Sequence, residues 1–490
     1  MFGLSKLLGF LMIGGDKHLA LCYGDVLATM LAEQHPVIAG PDSVASVQCH
    51  LPNHFRVGRL NCDRNLVLHN GVPYHHRTIG NKHMNDSLAR RTFLKSSLAL
   101  GLAPALRNEA QVPPPGKTLA PASAVKITKL RTYKLKDALF VQVIADNGQT
   151  GWGEASPNNR HVVETFIHHG LKQHVIGRNV WDAEPIWDDM FFANHDLGPD
   201  GVLPYAIAGI DIALWDLRGK LVNQPVYRLL GGKYRDKVRA YGSFGLGLGT
   251  KTPMTMDEAA KTAAKFVARG FTAVKARTQF RERNVNPWPD PTFAYFKAMR
   301  QAIGDKVELL ACLNSSYTAA RAIELGKRLH GELGINYLEE AVSTHNLHEL
   351  AQVCEALPFP VIAGETEYHR WRMRDLMDVG KVGMLNPDVA KCGGITEVKK
   401  IAALAQACSR PIKLHNTRPA FSTAAALHLM ASISNAGPFV EFPDVDKFRD
   451  QLTLVKTGVE FRDGVLLVPQ TAGLGIEVDE AAVQRAVVKD

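Results

Sequence analysis

Beyond Val238 the chain repeats one pattern, a short β-rich run followed by a longer stretch with apolar residues at helical spacing, about eight times in about 220 residues. The strand-like runs include Thr272 to Lys275, Val307 to Cys312, Asn336 to Glu339 and Val361 to Gly364. The helical runs include Met256 to Arg269, Ala319 to Leu333 and Thr396 to Ala407. Parallel strands cannot be joined by tight turns and need helical crossovers, and that many such units in sequence close into a (β/α) barrel. The expected fold class is therefore α/β.

In such a barrel the chemistry sits where the strands end at the C-terminal face. The polar residues at those ends are Lys275 and Arg277, Cys312 and Asn314, Glu339, Glu365, Asp388, His415 and Glu441. From Cys312 onward the successive intervals are 27, 26, 23, 27 and 26 residues. Taken singly, Glu339 reads as a surface carboxylate and His415 as a satisfied core histidine. One polar residue delivered to the same rim in every repeat reads as a site.

Ahead of the barrel, Lys126 to Leu135 and Ala138 to Ala145 alternate as antiparallel strands, and Asp146-Asn147-Gly148 is a turn signal leading into a third strand ending at Gly151-Trp152-Gly153-Glu154. Helices are expected over Val162 to Val175, Ala183 to Ala193 and Tyr205 to Leu221. The seven cysteines are too few for a disulfide framework, and no run of 18 apolar residues offers membrane insertion. The net charge of +9 includes +2 from residues 1 to 83 and +3 from residues 84 to 125, leaving +4 over the other 365 residues. So weak and dispersed an excess argues against a nucleic-acid partner.

The first 83 residues read differently, holding 8 of the 19 histidines and 3 of the 7 cysteines with little sustained periodicity. They are expected to form a poorly ordered extension, with Met84 as the start used in the cell. After Met84 come Arg90-Arg91-Thr92-Phe93-Leu94-Lys95, a small and apolar stretch, and Ala103-Pro104-Ala105. A basic segment, a short apolar segment and a small-residue cleavage site make an export signal, and the paired arginines resemble the twin-arginine type. Residues 84 to 125 are thus expected to be signal and Pro-rich linker, read by the twin-arginine export machinery, with a periplasmic mature protein. Changing both Arg90 and Arg91 to Lys should stop export while folded protein accumulates in the cytoplasm. Fractionation showing unchanged export would refute the signal, and deleting residues 1 to 83 should leave export intact.

The chain from about 126 to 480 resembles the enolase superfamily, mandelate racemase group. The carrying motifs are Thr150-Gly151-Trp152-Gly153-Glu154-Ala155, the run Ala206 to Asp216, and Lys275-Ala276-Arg277. They continue with Leu338-Glu339-Glu340, Gly364-Glu365, Asn386-Pro387-Asp388 with Gly393-Gly394, and the strand ending at His415. The resemblance implies an N-terminal α+β capping domain over 126–235, a (β/α)7β barrel over 236–455, and a segment 456–490 returning to the cap. It also implies a Mg²⁺ that holds a substrate carboxylate while a base removes the proton on the adjacent carbon. In that scheme Glu339 and Glu365 match two metal carboxylates. Lys275 neutralises carboxylate charge, Glu441 hydrogen-bonds the substrate carboxylate, and Asp388 with His415 forms the base dyad. Arg277 and Asn314 are then expected to bind substrate, and a homo-oligomer is expected.

Two residues depart from that pattern. The family's first metal ligand is an aspartate, and Cys312 stands in its place; a thiol is a poor ligand for a hard cation, so a weak or empty Mg²⁺ site is expected. Changing Cys312 to Asp should then tighten Mg²⁺ about tenfold or more. Arg277 stands where a second lysine base is common, and a guanidinium stays protonated. A racemase needs proton donors and acceptors on both faces of the enediolate, whereas a syn loss of water can use one histidine twice. The expected reaction is therefore dehydration of an acid sugar, a small carboxylate of the aldonate or galactonate type, to a 2-keto-3-deoxy acid. Racemisation or epimerisation of a 2-hydroxy acid, and an idle exported binding protein with a degenerate metal site, are the alternatives.

Overall fold

The computed structural model describes residues 124–488. The stretches expected to be a poorly ordered extension and a twin-arginine signal lie outside the described residues.

The capping sheet has the order β1-β2-β3, formed by β1 (Ile127–Lys134), β2 (Leu139–Ala145) and β3 (Thr150–Ala155), all antiparallel. Because side chains alternate across a strand, β2 serves two cores at once. Leu139, Val141 and Val143 pack into the cap, while Phe140 joins the barrel core and meets Phe421 edge-on at 4.9 Å. Three helices complete the cap: α1 (Arg160–Phe166), α2 (Ala183–Phe192) and α3 (Val202–Leu221). The single helix expected over Val162 to Val175 is instead α1, a widened turn at Ile167–Leu171 containing Gly170, and a tight turn at Lys172–His174. Glycine's high backbone entropy weakens a helix there.

The glycines of the Gly-Trp-Gly motif are required by how closely α3 lies on β3. A β-carbon on Gly151 would stand 2.1 Å from the Ala213 carbonyl oxygen, and one on Gly153 would stand 2.4 Å from that of Gly209. The acidic residues of the same motifs join the two domains. Glu154 accepts from the Ser422 amide (3.3 Å) and hydroxyl (3.2 Å) and from Gln451 Nε2 (2.8 Å). Asp211 accepts from the Thr396 amide (2.9 Å) and hydroxyl (2.5 Å), and burial pushes its carboxyl up to about 6.

The barrel strands are β4 (Lys237–Gly245), β5 (Ala273–Arg277), β6 (Glu308–Cys312), β7 (Leu338–Glu339), β8 (Val361–Ala363), β9 (Met384–Leu385), a seventh at 412–415, and β10 (Val440–Pro443). The intervening helices are α4 (Met256–Ala268), α5 (Thr292–Ile303), α6 (Ala319–Leu333), α7 (Leu347–Ala356), α8 (Arg370–Asp378), α9 (Gly394–Ala407) and α10 (Phe421–Ser432). Neighbouring strands are parallel, and β10 pairs with β4 to close the ring. The seventh strand is held only by single bridges, Leu385 to Ile412, Asp388 to His415, and Ile412 to Ala436. Seven strand–helix units and a closing strand make the (β/α)7β barrel.

The C-terminal segment serves both parts. Strand β11 (Phe461–Arg462) pairs with β12 (Val465–Leu467), which runs antiparallel to β4 on the barrel. Helix α11 (Glu480–Ala486) then reaches the cap, where Glu480 accepts from Gln142 Nε2 at 3.1 Å and the Val488 amide bonds the Lys134 carbonyl. Among the described residues no helix is long and apolar enough to cross a membrane.

Candidate active site

A cavity of about 350 Å³ opens at the C-terminal end of the barrel. The barrel supplies Arg277, Glu365, Asp388, Lys391, His415, Arg418 and Glu441 to its wall, and the cap supplies Ser156, Pro157, Asn158 and Tyr205. The loop at Lys134 to Asp137, which the sequence makes a candidate specificity loop together with Pro157 to His161, contributes instead to an adjacent 220 Å³ cavity. Lys447 and Phe448 line both.

The basic residue of the site is His415. Its Nδ1 lies 2.6 Å from Asp388 Oδ2, which orients the ring and leaves Nε2 for proton transfer. Asp388 itself accepts from the Ala390 amide at 2.8 Å. Burial alone would raise the Asp388 carboxyl, but the hydrogen bond and charge of His415 hold it below the usual range. Nε2 stands 3.3 Å from Glu365 Oε2 and 3.8 Å from Glu441 Oε2, so an imidazolium formed there is flanked by carboxylates.

Behind the cavity wall sits a buried ionic cluster. Lys275 Nζ donates to Glu339 Oε1 at 2.5 Å and lies 3.1 Å from Glu441 Oε1. The other oxygen of Glu339 is taken by a residue that sequence reading passed over: Lys413 Nζ donates to Oε2 at 2.6 Å and to the Tyr241 hydroxyl at 2.6 Å. Both lysines are fully buried. Burial would raise the Glu339 carboxyl, but Lys275 and Lys413 outweigh it and hold it at about 2. Glu441 is likewise held well below its ordinary range against burial, by Lys275, His415 and Lys413. The signal for Lys413 was present in the sequence. A lysine in the apolar run Ile412 to Leu414 lies two residues before His415 and hence on the same strand face.

Cys312 and Asn314 both turn toward Glu340. The thiol approaches Glu340 Oε2 at 3.8 Å and Asn314 Nδ2 donates to the same oxygen at 3.3 Å, while Asn314 Oδ1 accepts from the Gln279 amide at 2.8 Å. Asn314 is thus engaged on both edges and is not part of the cavity wall, unlike Arg277. Burial, with Glu339 and Glu340 nearby, pushes the Cys312 thiol well above its usual range. Burial beside Glu365 and Glu339 pushes Glu340 up to about 8, which favours its neutral form.

These residues do not fit Mg²⁺. The cation needs anionic or carbonyl oxygens, whereas Cys312 offers a protonated sulfur and both oxygens of Glu339 are hydrogen-bonded to ammonium groups. Two further oxygen sources, Asn314 two residues after Cys312 and Glu367 two residues after Glu365, are also occupied. Asn314 is engaged as described, and Glu367 is paired with Arg372 at 2.9 and 3.3 Å. Among the described residues no three His, Cys, Asp or Glu side chains converge on a point where an ion would sit.

Comparison with known proteins places this geometry. Residues 258–482 match the family described as Enolase C-terminal domain-like, and residues 110–231 match the Mandelate racemase / muconate lactonizing enzyme, N-terminal domain. A D-galactarolactone cycloisomerase from Agrobacterium fabrum is 32% identical over 386 residues, 73% of this chain and 98% of the relative. An arabinonate dehydratase from Saccharolobus solfataricus is 30% identical over 72% of this chain and 96% of the relative. Among solved structures, a mandelate racemase/muconate lactonizing protein from Paracoccus denitrificans, complexed with magnesium, is 30% identical with a TM-score of 0.69. The comparison covers 74% of this chain and 98% of that one. With the cap and the barrel each matched by its own family and the relatives covered almost end to end, this chain belongs to the mandelate racemase/muconate lactonizing enzyme family of the enolase superfamily.

Proposed function

We propose that the protein is an acid-sugar lyase that removes the proton α to a carboxylate and eliminates water from the adjacent carbon. The observation that carries this reading is the His415–Asp388 dyad, whose 2.6 Å contact leaves Nε2 at the wall of a cavity also lined by Arg277. The acid's carboxylate is held by the Arg277 guanidinium, whose buried Nε has no hydrogen-bond partner among the described residues. His415 takes the α-proton, and the C–H electron pair passes into the enediolate. The imidazolium then returns a proton to the departing 3-hydroxyl, the C–O bond breaks, water leaves, and the resulting enol becomes the 2-keto-3-deoxy acid. In the family Mg²⁺ would supply charge to the enediolate; no step above depends on it, since the donors here depart from what that ion requires.

One-faced chemistry is favoured over epimerisation by the state of the residues opposite. Arg277 stays protonated. Lys275 is clamped between Glu339 and Glu441, which, against the opposing effect of burial, hold its ammonium well above the usual range, so it cannot act as a base near neutral pH. The same first proton removal would serve a cycloisomerisation of the kind named for the Agrobacterium fabrum relative. A screen of aldonates, aldarates and their lactones, read by a 2-keto acid assay and by NMR in deuterated water, tests the reading. A 2-keto-3-deoxy product is expected; α-proton exchange without net product would point to epimerisation, and neither signal with any acid would sink the enzyme reading. We also propose periplasmic export through the twin-arginine pathway, on the strength of Arg90 and Arg91 and the segment that follows them.

A further inference from the structure

We infer that in this chain a lysine ammonium, that of Lys413, has taken the place of a divalent cation in the buried cluster beneath the barrel mouth, and that the site holds its acid without Mg²⁺.

Lys413 occupies a seat lined for a cation. The side chain is fully buried, so its charge must be met by the protein rather than by water. It is met two ways, by Glu339 Oε2 at 2.6 Å and by the Tyr241 hydroxyl at 2.6 Å, which leaves Nζ 4.8 Å from the centroid of the same ring. Lys275 stands 5.2 Å from the same ring centroid and holds the other Glu339 oxygen. One aromatic ring and one carboxylate thus bind two ammonium groups. Each ammonium donates to one oxygen of Glu339 and lies about 5 Å from the ring centroid, contacts that suit a compact hydrogen-bonding cation.

Charge counting gives the same answer. Lys275 and Lys413 balance Glu339 and Glu441, two positive against two negative, before any ion is added. A divalent cation bound at Glu339 would have to displace both ammonium groups from its oxygens or sit beside them in a medium where like-charge repulsion is strong. Displacing Lys413 from Glu339 would leave a buried ammonium with only a phenol for company, which is strongly unfavourable. The replacement of a carboxylate by the Cys312 thiol then follows physically. With two lysines already neutralising the cluster, a further anion at position 312 would be uncompensated, whereas a protonated thiol that donates to Glu340 is not.

The acid's own charge is left to Arg277, on the wall of the cavity, whose buried Nε has no hydrogen-bond partner among the described residues. The inference rests on the function proposed above only for the nature of that acid; the statement about metal stands apart from it.

Calorimetric titration of Mg²⁺ into the chelator-treated full chain tests it, alongside Cys312→Asp and the double change Cys312→Asp with Lys413→Met. Wild type is expected to give no saturable binding at millimolar Mg²⁺, and so is the single variant, against the tightening that the sequence alone leads one to expect for Cys312→Asp, because both oxygens of Glu339 stay engaged by Lys275 and Lys413. The double variant is expected to bind Mg²⁺ at least about tenfold more tightly than either, because both an anionic oxygen and a free Glu339 edge are then present. Saturation of wild type at one Mg²⁺ per chain in the micromolar range would overturn the inference. So would tight binding by Cys312→Asp alone, or a folded double variant that gains nothing. If the double variant does not fold, the first two titrations still decide. Turnover is read separately: a chain that binds no Mg²⁺ and turns over no acid would refute the proposed reaction and leave only the statement about metal in place.

Discussion

Replacing His415 with Asn is expected to lower turnover about 10²- to 10⁴-fold, with little change in folding stability. Asparagine keeps a hydrogen-bonding edge toward Asp388 but has no titratable nitrogen to stand beside Glu365, so the α-proton has no acceptor. Exchange of the substrate α-proton with deuterated solvent, followed by NMR, should fall by the same factor as turnover. Exchange that continues undiminished would mean that another group takes the proton. Lys391, which lines the cavity 3.8 Å from Asp388, would then be the residue to change next.

Asp216→Ala is expected to lower stability by about 3–5 kcal/mol, the range for removing one partner of a buried charged network. The Asp216 carboxylate is 1% exposed and is shared among three segments distant in sequence. Oδ2 accepts from the Trp152 amide in β3 at 2.8 Å and from Lys220 at 2.6 Å, while Oδ1 accepts from the Leu474 amide at 2.8 Å. Alanine leaves two buried amides without acceptors, each costing about 1–3 kcal/mol. Asp216→Asn retains one acceptor oxygen and should lose about half as much. Chemical denaturation of the three proteins gives the differences directly. A change below about 1 kcal/mol for Asp216→Ala would show that water replaces the carboxylate and that the C-terminal segment is not fastened through this residue.

The motif from Ala206 to Asp216 shows how far sequence alone carries. Its helical spacing marks the helix, and its resemblance marks the family, but the two aspartates could equally have been site residues. Only the fold shows that Asp211 meets Thr396, 185 positions away, and that Asp216 meets Leu474, 258 positions away. Asp211 joins the cap to the barrel, and Asp216 fastens the C-terminal segment to the cap. Glu154 is a similar case, being answered by Gln451 from 297 residues downstream.

What the sequence determined by itself was what depends on local periodicity. Apolar spacing of two and of 3.6 residues, repeated in alternation, dictates strands and helices, and their number dictates the barrel. The register of that repeat brings His415, Asp388, Glu365, Glu339, Glu441, Lys275 and Arg277 to one rim, because side chains at equivalent strand positions point the same way. What only the tertiary structure decided was which of those groups satisfy one another. Lys413 and Glu339 are 74 residues apart, and Lys275 and Glu339 are 64 apart. No spacing along the chain shows that both oxygens of one carboxylate are taken, or that Cys312 and Asn314 turn to Glu340 and away from the cavity. Pairing of buried charges is settled by distance and dielectric once the barrel has closed, and those two quantities do not exist until it has.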